Sequence, residues 1–166
     1  MKRKLFILIF LIFGSRALFS EEYGSIYKCS FAGKNQFNSI GVIFDYPMPN
    51  SESKWFLSQM VGYAFNHNYP IGIEAEYFLG KHFKSEKFTN KFGGSCGVIS
   101  LVDMGNNKEL VYIDALYGLN YVVSQETYEP VYIGFMLKGG AGYLNENEAV
   151  RICPVISCSV AIGLLF

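Results

Sequence analysis

One face of the segment Leu110 to Ser124 is wholly apolar. Its odd positions are Val111, Ile113, Ala115, Tyr117, Leu119, Tyr121 and Val123, while the even positions include Tyr112, Asp114, Gly118 and Asn120. A period of two places successive side chains on opposite faces of a strand, whereas a helix would scatter these residues around its circumference. The pattern recurs from Ile71 to Gly80, where Ile71, Ile73, Ala75, Tyr77 and Leu79 alternate with Gly72, Glu74, Glu76 and Gly80. It recurs from Val131 to Tyr143, with Ile133, Phe135 and Leu137 opposite Gly134, Lys138, Gly140 and Gly142. It recurs again in Ile156, Cys158, Val160, Ile162, Leu164 and Phe166, opposite Ser157, Ser159, Ala161 and Gly163.

Weaker alternation covers Gly24–Ala32 and Asn38–Tyr46, and the segments Lys54–Asn66 and Phe92–Met104 are strand-like with ambiguous facing. Between the segments lie turn compositions: Gly33-Lys34-Asn35, Pro47 to Ser53, Asn66-His67-Asn68, Lys81 to Lys91, Gly105-Asn106-Asn107, Gln125 to Pro130 and Asn145-Glu146-Asn147. The expected count is eight strands with no convincing helix.

The front of the chain has a different character. Lys2, Arg3 and Lys4 precede an unbroken apolar run from Leu5 to Phe13. The run is too short for a membrane helix, which needs ~20 residues, and reads as a secretory signal covering residues 1–20. Ser15-Arg16-Ala17 and Ser20 are the candidate cleavage sites, and no cysteine nearby would carry a lipid anchor. Residues 21–166 then form one domain.

Past the signal, no apolar stretch could cross a bilayer as a helix. Yet aromatic residues make up 17% of the chain, 12 of them tyrosine, and glycine contributes 17 residues. In a bilayer, backbone polar groups are satisfied only within helices or closed barrels, so this composition points to a transmembrane barrel. The formal net charge is zero, which favours neither nucleic acid nor an acidic partner.

Alternation alone does not say which face of a barrel points inward. Seven consecutive apolar positions from Val111 to Val123 exceed the needs of a small soluble core, and glycines share the faces of Glu74 and Lys138. The expected fold is therefore an all-β, eight-stranded antiparallel up-and-down transmembrane β-barrel, apolar outside and polar within. The runner-up is a secreted soluble barrel with the opposite facing.

On that facing Glu74, Glu76, Asp114 and Lys138 point inward as a charge network, with help from Tyr112 and Tyr132. Three acids against one lysine leave excess negative charge unless Lys28 or Arg151 also turns inward. An eight-stranded barrel is just wide enough for side chains to fill, which favours a plug over a pore. Trp55, Tyr46, Phe78, Tyr121 and Tyr143 fall toward strand ends, where aromatic girdles meet headgroups.

The two histidines, His67 and His82, are expected in connections, and neither has the His-x-Ser spacing of a barrel lipid hydrolase. No catalytic residue, metal or cofactor is expected. Cys29, Cys96, Cys153 and Cys158 show no zinc-ligand spacing. Cys153 and Cys158 are on opposite faces of one strand, so a disulfide would have to join neighbouring strands instead.

Across the mature chain these features resemble the small outer-membrane barrels of the OmpA, OmpX and OmpW kind. The resemblance rests on the signal, the eight alternating segments, the terminal Phe166 with Leu164, Ile162 and Val160 before it, and Val61-Gly62-Tyr63 through Ile71 to Phe78. It implies export to the outer membrane, lipid as partner, and the last strand as the signal read by the barrel-assembly machinery. It also implies a structural or surface-interaction role. A narrow conduit for a small apolar or ionic solute and a lipid-modifying enzyme are the alternatives. One departure is expected: that family's surface loops outgrow its periplasmic turns, whereas Lys81 to Lys91 reads here as the longest periplasmic connection.

Overall fold

The computed structural model describes residues 22–47, 54–103, 106–123, 130–146 and 149–165. The signal segment and the terminal Phe166 lie outside the described residues. Eight strands follow in order: β1 (Glu22–Ala32), β2 (Asn35–Pro47), β3 (Trp55–Phe65), β4 (Ile71–Lys84), β5 (Phe88–Asp103), β6 (Asn106–Val122), β7 (Val131–Glu146) and β8 (Ala149–Leu165). Each pairs antiparallel with its neighbours in sequence, and β1 pairs with β8 to close the barrel. Closure leaves no unpaired edge, so ladder hydrogen bonds run around the whole ring.

The alternation sets the facing. In β6 Val111, Ile113, Tyr117 and Tyr121 are exposed on the outside, while Leu110, Tyr112, Asp114 and Leu116 are buried inside. The same parity sends Ile71, Ile73 and Leu79 of β4 outward, together with Ile133, Phe135 and Leu137 of β7 and Ile156, Val160 and Ile162 of β8. Shifting any strand by one residue would exchange its two faces, so these patterns exclude one-residue slips but do not by themselves set the register.

Aromatic rings gather on the outer surface near the strand ends. Phe88 and Tyr121, Phe92 and Tyr117, and Phe83 and Phe92 form ring pairs with centroids 5.1, 5.1 and 5.9 Å apart. Lys81 Nζ stands 4.9 Å from the Trp55 ring centroid and Lys54 Nζ stands 5.3 Å from that of Phe83. Tyr63, Phe65 and Tyr143 mark the opposite end.

Several expectations are corrected. Lys81 to Lys91 is not a long connection, because β4 continues to Lys84 and β5 begins at Phe88. Its lysines gave it a loop-like composition, but the two at its ends have partners. Lys91 turns inward to acids, Lys81 lies on Trp55, and Ser85 N donates to Phe88 O at 2.7 Å to close the turn. His82 is accordingly a strand residue, its ring 6.2 Å from that of Phe56. Phe78 does not belong to an outer girdle, since it shares the inward parity of Glu74 and Glu76 and is 1% exposed. Tyr46 is on the outward parity of Ile40 and Val42, although its side chain is buried.

The interior is also less polar than expected. One apolar cluster includes Phe37, Tyr69, Ile99, Leu101, Leu110 and Leu144. A second includes Ile43, Phe56, Met60, Phe78, Leu116 and Met136. The Gln125 to Glu129 stretch and Gly105 lie outside the described residues. Even so, the strand bounds leave two positions between β1 and β2, β5 and β6, and β7 and β8. The longest gaps, 48–54 and 123–130, are at the end that holds both termini.

Candidate functional site

The inward parity brings charged side chains from distant strands into one layer. Lys28 of β1 is completely buried and bridges two acids of β4, with Nζ 2.6 Å from Glu74 Oε1 and 2.7 Å from Glu76 Oε2. Lys138 of β7 reaches Glu76 Oε2 at 2.7 Å. The Tyr112 hydroxyl of β6 donates to Glu74 Oε1 at 2.7 Å and lies 2.7 Å from Lys28 Nζ. The Ser39 hydroxyl of β2 donates to Glu74 Oε2. Lys28 and Lys138 also lie over aromatic rings, 4.5 Å from the Tyr112 centroid and 4.1 Å from that of Phe78.

Local sequence makes room for these groups. Glu74 pairs across the sheet with Gly62, Glu76 with Gly97, and Asp114 with Gly140 and Ser95. Lys28 is flanked by Ser39 and Ser159, and Lys138 has Ser157 beside it. Large charged groups therefore stand next to residues with little or no side chain, which lets them cross a narrow lumen.

Of the four charges expected to meet, Glu74, Glu76 and Lys138 share the ion-paired layer. Asp114 is buried at 3% exposure beside it, but neither carboxylate oxygen has a hydrogen-bond partner among the described residues. Lys28 is the cation that joins Glu74 to Glu76, and Arg151 instead lies on the exposed rim, 3.6 Å from Glu146. The signal for Lys28 was its place on the same face as Ser30 and opposite Tyr27, Cys29 and Phe31. A lone lysine in a short strand did not show which acids it would meet.

Two further ion-paired groups flank this layer. Near the termini Lys91 Nζ reaches Glu22 Oε2 at 2.8 Å and also contacts Asp45. Asn120 Nδ2 donates to the same Glu22 oxygen at 3.4 Å. Toward the other end Lys108 Nζ lies 2.8 Å from Glu146 Oε1 and donates to Asn35 Oδ1 at 2.7 Å. Between these layers little space remains. The cavity among Ile43, Phe56, Phe78, Lys91, Leu116 and Met136 measures about 10 Å³, about the room of one water molecule.

A larger cleft of about 440 Å³ opens on the rim away from the termini, where Asn35, Asn38, Asn66, His67, Asn68 and Lys108 meet. Among the described residues no group of three or more His, Cys, Asp and Glu side chains is placed to hold a metal ion. Val160, Ile162 and Leu164 lie on the outward parity of β8. Comparison with family models, with curated proteins and with solved structures finds no match.

Proposed function

We propose that this chain is an integral outer-membrane barrel with a structural role, its lumen closed by stacked ion pairs and apolar side chains. The observation that carries the reading is the contrast between its two faces. Large apolar residues of every strand are exposed on the outside, while Lys28, Glu74, Glu76 and Lys138 are buried inside. A soluble barrel needs the reverse. An apolar surface running around a whole molecule marks a membrane or a partner, and the aromatic rings near the strand ends suit the two headgroup zones.

The basic and then apolar first 20 residues suit export, and lipid is the proposed partner of the outer belt. The barrel-assembly machinery would act during insertion, with β8 as the strand it reads. If the termini face the periplasm, the surface connections are the short ones. That favours a structural barrel over an adhesin, whose contacts need long loops. No catalytic step belongs to this reading.

Heat-modifiable migration on gels and fractionation with the outer membrane are the expected results. Recovery of the mature chain as a soluble monomer without detergent would overturn the membrane assignment. Lipid A from a deletion strain should match the parent; a changed acylation pattern would favour the enzyme alternative.

The belt makes a second prediction. Val160→Arg should destabilise the barrel in lipid by ~2–4 kcal/mol if the site is near mid-bilayer, because the guanidinium would enter hydrocarbon. Ile133→Arg should act in the same direction. Spin labels at 133 and 160 that report water would contradict the facing toward lipid. In planar bilayers the wild type should carry no large stable current, since apolar clusters and ion pairs fill the lumen. Porin-like conductance would replace the plug with a pore.

A further inference from the structure

We propose that Cys29 and Cys158 form a disulfide that staples the closing seam of the barrel. The two residues are 129 positions apart in sequence, yet the antiparallel register of β1 and β8 places them directly opposite each other. Both are on the outward parity, Cys158 exposed and Cys29 half-buried, and both thiols are free in the structure.

The ladder indicates their spacing. Gly33 N donates to Pro154 O at 3.2 Å, so the odd positions of β1 exchange hydrogen bonds with β8. Cys29 and Cys158 have the same parity and form a hydrogen-bonded pair, for which the Cα atoms are about 5.5 Å apart. Disulfides usually span about 4.4–6.8 Å between Cα atoms, so the pair meets that spacing, and a small local change in strand twist would bring the two Cβ atoms within bonding reach.

The remaining cysteines offer no competing pair. Cys153 faces the interior, and Cys96 sits on β5 between Tyr77 of β4 and Ile113 of β6, away from the seam. Gln36 Nε2 lies 3.6 Å from Cys29 Sγ, a donor suited to a developing thiolate. Thiol–disulfide exchange proceeds through the thiolate.

The chemistry is a two-electron oxidation. Two S–H bonds break and one S–S bond forms. Two electrons and two protons pass to a disulfide oxidant of the exporting compartment, which leaves as a dithiol. The consequence is topological. The β1–β8 contact joins the strands farthest apart in sequence, and its loss would open the ring. A covalent link there closes a loop of more than a hundred residues, the case in which constraint of the unfolded chain is greatest. It also locks register, because a slip of one residue would bring Cys29 opposite Ser157 or Ser159.

The test uses the purified mature chain treated with oxidised glutathione, then denatured and alkylated with N-ethylmaleimide. The expected result is two alkylated thiols before reduction and four after it. Proteolysis should yield a peptide containing Cys29 linked to one containing Cys158. On fully denaturing gels the unreduced chain should migrate faster than the reduced one. Cys29→Ser should abolish that difference, and Cys96→Ser with Cys153→Ser should keep it.

Four thiols alkylated before reduction, or a linked peptide containing Cys96 or Cys153, would overturn the assignment. The pairing requires the closed barrel, but these readouts report no membrane property, so they fail separately from the membrane reading.

Discussion

Lys28→Met should destabilise the folded barrel by ~3–5 kcal/mol, the cost of removing one partner from a buried ion pair. Lys28 bridges Glu74 and Glu76 and is completely buried. Methionine approximates its volume and removes its charge. Glu74 would keep only the Tyr112 and Ser39 hydroxyls, and Glu76 would keep Lys138. The central layer would then hold Glu74, Glu76 and Asp114 against a single lysine.

Lys138→Met should cost less, because it leaves Glu76 paired with Lys28. It should still destabilise folding more than it changes permeability. Adding Glu74→Gln to Lys28→Met should recover part of the loss by removing the stranded carboxylate. Urea titration in lipid vesicles measures all four midpoints. Equal midpoints for Lys28→Met and wild type would show that the ion-paired layer contributes nothing to folding.

Gly163→Ala should block correct closure of the barrel or cost ~3 kcal/mol or more, at the upper end of the overpacking range. Gly163 faces Gly24 across the β1–β8 seam. A Cβ on Gly163 would fall on the carbonyl oxygen of Tyr23 and lie 2.7 Å from both Gly24 Cα and Tyr132 Cε1. Two of these atoms belong to a backbone held in the ladder and cannot rotate away. Arginine there fails for the same steric reason before its charge matters.

Gly139→Ala is the control, since no heavy atom lies within 4 Å of a Cβ at that position. It should stay within ~0.5 kcal/mol of wild type, as for surface substitutions generally. The fraction of heat-modifiable protein after refolding reports both variants. Normal refolding of Gly163→Ala would mean that the seam is looser than this close approach implies.

Most strands, and the facing of the strongly alternating ones, were legible from residue order. A strand's period of two is local, so the seven apolar odd positions from Val111 to Val123 already defined one face. Glycine and asparagine between the segments already marked most turns, and an even number of strands followed. Composition misled where a charged residue found a distant partner. Lys81 to Lys91 resembled a loop until Glu22 and Asp45 were seen to receive Lys91, and Phe78 resembled a girdle residue until its parity placed it under Lys138.

What the tertiary structure decided is which inward residues meet. Parity puts Lys28, Glu74, Glu76, Asp114 and Lys138 on the inner wall. Only ring closure determines how far each strand is displaced along its neighbours, and so which charges share a level. That displacement joins Lys28 to two acids of β4 and leaves the Asp114 carboxylate without a hydrogen-bond partner among the described residues. It also sets Cys29 against Cys158. Pairing between the first strand and the last depends on the accumulated register of all eight, and no local pattern carries that information.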